Sequence, residues 1–131
     1  MQEELVVLLP AIGYDPSCWE LQVAALRKKK YNVLTIEYDV KPPAENLFTT
    51  LADQVALAIR AAEYSRAHIV GISIGGFVAL EVFRRHTALV RSITLAATCC
   101  GVGPQPGKLS WFNEYFDRVG LAAFSEVLIL P

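Results

Sequence analysis

Five residues, Gly71-Ile72-Ser73-Ile74-Gly75, constrain this chain more than any other stretch. They match a G-x-S-x-G pattern, in which a serine occupies a tight turn between a β-strand and an α-helix. The flanks agree with that geometry. Ala67-His68-Ile69-Val70 precedes the motif as a short apolar run, and Phe77 to Arg85 follows it as a helical one. Such a turn forces the serine into a strained backbone conformation, so its neighbours must be small, and Gly71, Gly75 and Gly76 supply the clearance. The serine oxygen then lies at the start of a helix, where backbone N–H groups and the helix dipole favour developing negative charge.

Around this motif, strand-like and helix-like segments alternate. Leu5–Leu9 is a continuous apolar run, the pattern of a strand covered on both faces. Gly13, Asp15 and Pro16 mark a loop, and a helix is expected from about Ser17 to Lys30, with Trp19, Val23 and Leu26 on one face. Lys28-Lys29-Lys30 complements the dipole at the end of that helix and is read as such rather than as a binding patch. Val33–Tyr38 is a second strand, closed by Asp39 and Pro42-Pro43. A second helix is expected from about Ala44 to Tyr64, its inner face drawn by Leu47, Leu51, Val55, Ile59 and Ala62, with Asp53, Arg60 and Glu63 toward solvent. Arg91–Ala97 is the fourth strand. Cys99 to Lys108 is loop, and Leu109–Leu130 has helical spacing through Trp111, Tyr115 and Val119. Crossovers of this length imply a parallel sheet with right-handed connections.

The combination resembles the α/β-hydrolase family. Ala67 to Val82 is similar to that family's fifth strand, nucleophile turn and following helix. Leu5 to Trp19 resembles its third strand and the loop after it, with Pro10-Ala11 where His-Gly is commonest. Val90 to Thr98 resembles its sixth strand. The resemblance implies a partial α/β-hydrolase fold: a mostly parallel sheet of about four strands flanked by helices, in the order second, first, third, fourth, without the family's C-terminal strands. It divides the chain into a core, residues 1–108, and a helical segment, 109–131, that opens a cap region.

The same resemblance assigns roles. Ser73 is the expected nucleophile. The backbone N–H groups of Ile74 and Ile12 are the expected oxyanion hole, with Gly71, Gly75 and Gly76 as the glycines of the turn. In the family the triad runs Ser, then Asp or Glu, then His. This chain has two histidines, His68 before the serine and His86 at the far end of the helix that follows it. A helix rises about 1.5 Å per residue, so His86 is expected on the order of 15 Å away. Neither histidine is expected to act as the base. Asp39 is not assigned as the acid, and no acid stands at Thr98, Cys99 or Cys100. The chain therefore resembles the front part of a serine hydrolase that cleaves an ester, thioester or amide. The alternative is an inactive binding protein of the same fold. A third reading joins the two, with the remaining half supplied by another chain.

Composition narrows the partners. A length of 131 residues fits one domain. The hydrophobic content of 53% exceeds the usual ~45–50%, as expected of a chain that packs against something more. A net charge of −1 gives no electrostatic case for nucleic acid or an anionic membrane. No window approaches the ~18 apolar residues of a membrane span. The three cysteines form no disulfide framework, and the acidic start Met1-Gln2-Glu3-Glu4 is unlike a signal peptide, so a reducing, cytoplasmic setting is expected. No metal or cofactor is expected: the histidines are scattered, there is no C-x-x-C, and Gly71–Gly76 lacks the Gly-Lys-Ser/Thr ending of a phosphate loop. The expected substrate is a small acyl compound. The uncharged fourth strand, Ser92–Ala97, is expected to offer an open edge for self-association.

Overall fold

A computed structural model of the chain describes residues 4–11, 13–39 and 46–98. Ile12, Cys99, Cys100 and the expected helical segment 109–131 lie outside the described residues. Four strands form one parallel sheet: β1 (Leu5–Leu9), β2 (Asn32–Thr35), β3 (Ala67–Ile72) and β4 (Val90–Ala96), in the spatial order β2-β1-β3-β4. This is the expected order. β1 and β3 sit centrally, with Leu9 opposite Gly71, so both end at one rim immediately before Ser73. α1 (Glu20–Lys28), α2 (Leu47–Ala61) and α3 (Ile74–Arg85) form the crossovers.

Leu47, Leu51, Val55 and Ile59 repeat every fourth residue and are all buried, so α2 lays one apolar stripe on the sheet. Val78, Ala79 and Val82 of α3 complete that layer against Leu5, Val7, Leu9 and Ile69. Full burial of a side chain of this size stabilises by roughly 1.5–3 kcal/mol. The opposite face of the sheet is thinner: Val6, Leu8 and Trp19 are its buried residues, with Val23, Leu26, Val33, Val70 and Ile72 half-covered around them. α1 itself has no fully buried residue.

The boundaries differ from the sequence expectation in physically explicable ways. The helix expected from Ser17 begins instead as a 3-10 turn, Pro16–Trp19, capped by the Asp15 carboxylate, which accepts the Ser17 N–H at 2.7 Å. β2 is shorter than Val33–Tyr38. The Tyr38 side chain leaves the strand pattern to donate its hydroxyl to the Pro10 carbonyl at 3.0 Å, and burial raises its pKa. Asp53 does not simply face solvent. It accepts two hydrogen bonds from Arg85, at 3.1 and 3.0 Å, and lies 2.7 Å from His86 Nε2, which ties α2 to the end of α3. α1 and α2 both end with a left-handed residue, Lys30 at φ 64° and Glu63 at φ 61°. In each case the next residue donates back across the last turn, Tyr31 N–H to Leu26 and Tyr64 N–H to Ile59.

Candidate active site

Ser73 sits between the last residue of β3 and the first of α3, with φ 53° and ψ −119°. A non-glycine residue at positive φ costs of order 1–3 kcal/mol and persists only where its surroundings hold it. Here two backbone hydrogen bonds hold it. The Ser73 N–H donates to the Ala96 carbonyl at the end of β4, and the Ser73 carbonyl accepts the Gly76 N–H, both at 2.9 Å. The glycines are needed for close approach. A Cβ at Gly71 would collide with the Gly75 carbonyl, and one at Gly75 with the Leu9 carbonyl. One at Gly76 would meet the Thr98 side chain. The side chain of Ser73 is exposed, and among the described residues no side chain hydrogen-bonds its hydroxyl.

The Ile74 N–H belongs to the first turn of α3, where no intrahelical acceptor exists, and the helix macrodipole places partial positive charge there. The other expected donor, Ile12, lies outside the described residues. Both histidines are engaged elsewhere. His68 lies five residues before Ser73 along β3, roughly 16 Å at 3.3 Å per residue. Its Nδ1 is 2.6 Å from the Ser92 hydroxyl, and its Nε2 faces the Glu4 carboxylate at 3.3 Å without hydrogen-bonding alignment. His86 follows the last residue of α3, a rise of roughly 18 Å from the turn. Its Nε2 meets Asp53. Among the described residues, neither a base nor an acid is brought to Ser73.

A cavity of about 440 Å³ opens beside the serine. Its walls are Ala11, Tyr14, Cys18, Trp19, Gln22, Ile72, Ser73 and Ala97. Desolvation, and secondarily the Asp15 charge, push the Cys18 thiol above its ordinary pKa, which disfavours a thiolate beside Ser73. Trp19 is buried, and its indole N–H has no acceptor among the described residues. Sequence reasoning placed Trp19 in the core but did not identify Tyr14, Cys18, Gln22 or Ala97 as cavity walls. One signal was available: Cys18 and Gln22 are four residues apart, hence on one side of a helical segment. A second cavity, about 480 Å³, lies at the opposite rim between Arg27, Lys30, Tyr31, Asn32 and Tyr64. No serine or cysteine lines it. No metal-binding cluster and no helix long and apolar enough to cross a membrane occur among the described residues.

Comparison with known proteins places this geometry. The family model described as "Alpha/beta hydrolase family" matches residues 6–129. The RutD protein of Pantoea ananatis is 30% identical over 97 residues, covering 70% of this chain and 35% of that protein. The 3-oxoadipate enol-lactonase 1 of Acinetobacter baylyi is 31% identical over 108 residues, covering 78% of this chain and 40% of the enzyme. The crystal structure of a hydrolase from Pseudomonas aeruginosa PA01 superposes with a TM-score of 0.69 at 25% identity, over 90% of this chain and 44% of that one. The chain thus spans less than half the length of these relatives. With a parallel sheet in the order β2-β1-β3-β4, a serine at positive φ on the strand-to-helix turn and a family match across nearly its whole length, the chain belongs to the alpha/beta hydrolase family.

Proposed function

We propose that this chain carries the nucleophile half of a serine hydrolase acting on a small acyl compound through an acyl-serine intermediate. The observation that carries the proposal is Ser73 itself, strained at φ 53°, exposed, and opening onto a cavity at the carboxyl rim of a parallel sheet. Ser73 Oγ attacks the carbonyl carbon of an ester, thioester or amide. The negative charge that forms on the carbonyl oxygen is held by the Ile74 N–H and by that of Ile12. The bond to the alcohol, thiol or amine then breaks, and water releases the acyl group. On this reading residues 1–108 are the N-terminal core of an α/β-hydrolase domain and 109–131 a helical segment that begins its cap region. An enol-lactonase among the relatives is consistent with cleavage of an ester bond.

The triad histidine and its acid complete such a site, and the two histidines of this sequence are both bound elsewhere. A serine without a base stays protonated and reacts slowly. The 131-residue chain alone is therefore expected to show at most the ~10³–10⁴-fold acceleration over water that an oxyanion hole and binding leave behind. The placement of both histidines favours one second reading, a protein of this fold that binds small molecules without turning them over.

Two measurements separate these readings. Treatment with a fluorophosphonate in the presence of imidazole, which stands in for the absent base, followed by peptide mass spectrometry should place the phosphonyl group on Ser73 and on no other residue. Added imidazole should raise hydrolysis of a p-nitrophenyl ester in the native chain above its rate with Ser73→Ala. A folded chain that is neither labelled at Ser73 nor rescued by imidazole would leave the binding reading.

A further inference from the structure

The cavity beside Ser73 has a chemical character of its own. Its walls include the phenol of Tyr14, the thiol of Cys18, the indole of Trp19, the amide of Gln22 and the aliphatic side chain of Ile72. Among the described residues that line it, none is charged. Desolvation raises the pKa of the Cys18 thiol, which favours its neutral form. A volume of about 440 Å³ lies in the lower part of the ~300–1,000 Å³ span of small-molecule sites. An uncharged wall of this kind accepts apolar and neutral polar groups. It disfavours a carboxylate or an ammonium, which loses part of its hydration there and meets no charged side chain among the described lining residues.

We propose that this cavity selects compact, uncharged esters or lactones, and that Gln22 is the position that sets the tolerance for charge. The proposal rests on Ser73 as the reacting group for the word ester; the selection against charge rests on the cavity walls alone. Gln22 lies four residues beyond Cys18, on the first turn of α1, and is exposed. A longer cationic side chain there has room to extend and would supply the missing partner for a carboxylate. Trp19 forms part of the wall and so reports on occupancy through its fluorescence.

The test uses the full chain with Ser73→Ala, so that nothing is turned over, and with Trp111→Phe, which leaves Trp19 as the sole tryptophan. Ethyl butyrate is the neutral probe. Monoethyl succinate, of similar size and carrying one carboxylate at pH 7, is the charged one. Ethyl butyrate is expected to change Trp19 fluorescence at a concentration about tenfold or more below that needed for monoethyl succinate, in line with the cost of burying an unpaired carboxylate. Gln22→Arg should narrow or reverse that ratio, whereas Gln22→Asn should leave it. Far-UV circular dichroism verifies the fold of each variant, and Ser73→Ala alone, titrated by equilibrium dialysis, supplies the ratio if Trp111→Phe perturbs folding.

Equal binding of the two probes, tighter binding of the carboxylate, or no binding of either would overturn the proposal. So would a ratio that Gln22→Arg leaves untouched. Selective binding of ethyl butyrate together with a Ser73 that fluorophosphonate does not label even with imidazole present would uphold the cavity and sink the nucleophile.

Discussion

The two faces of the sheet are built differently. Under α2 and α3, whole side chains disappear from solvent: Val7, Leu9, Val55, Ile59, Ile69, Val78 and Val82 are fully buried. Under α1 the layer is thin, and Leu21 of that helix is 81% exposed. The strands record the difference. β1 is buried along its whole length, whereas β3 alternates, with Ala67, Ile69 and Gly71 buried toward α2 and α3 and His68, Val70 and Ile72 half-covered on the other side. The candidate cavity belongs to the thin side, for Trp19 and Ile72 both line it and both belong to the smaller apolar cluster. Among the described residues, burial is concentrated on one face, and the cavity beside Ser73 opens on the other. Loosely covered segments are where binding elements are ordinarily drawn from.

The comparison breaks most directly at the core. Ile59→Ala, on the well-covered face, is expected to cost about 2–5 kcal/mol, whereas Val33→Ala, in the thin layer, should cost under about 1.5 kcal/mol. Urea unfolding followed by far-UV circular dichroism measures both. Equal losses would show that the faces are energetically alike and that exposure misleads here.

A second test concerns the sheet's outer strand. Among the described residues β4 is an edge, and Leu95 on it is 40% exposed. The chain is expected to self-associate at micromolar concentration through this edge, and Leu95→Lys should shift it toward the monomer, because an edge charge opposes strand pairing. Size-exclusion chromatography with light scattering reads the mass. A monodisperse monomer in the unmodified chain would show that the thin side extends to no open edge.

The smallest effect sharpens the account of the covered face. Hydrogen bonds from Arg85 first, and from His86 second, hold the Asp53 carboxyl below its ordinary pKa. Its contribution is therefore present above about pH 4, the unfolded value, and is lost as pH falls through the lower folded value. Asp53 is largely solvated, so solvent screening limits this to about 1 kcal/mol at most. Asp53→Asn should lower the urea midpoint at pH 6, and the gap should shrink at pH 3. A gap that stays constant or grows in acid would mean that the link between α2 and α3 is not ionic.

What was legible in the sequence was local. The glycines around Ser73, the fourfold repeat of Leu47 to Ile59 and the apolar run of Leu5–Leu9 each encode a conformation within a few residues, and each appears as read. What escaped depends on distance or on an unexpected residue. The Asp53–Arg85 pair joins positions 32 apart, and no local pattern announces it. Lys30 and Glu63 occupy left-handed positions where glycine is the usual signal, so both helix ends were placed a residue or more too late. The cavity walls escaped because they converge from the loop before α1, from α1 itself, and from the ends of β3 and β4. Ile12 was placed by register with a family loop, and lies outside the described residues.

One contact carries a consequence for how such a chain changes over generations. Gly75 rests on the carbonyls of Leu9 and Pro10, so the start of α3 and the root of the loop after β1 share a single fixed point. The loop beyond that root runs to Tyr14, which is 56% exposed, before Asp15 recaptures the chain at the 3-10 turn. Between those two anchors Gly13 takes φ 80°, which favours glycine, whereas the exposed Tyr14 can change without touching the backbone bonds that hold Ser73. A substitution at Tyr14 thus redraws the cavity wall while the close backbone approach at Gly75, on which the Ser73 turn depends, stays as it is.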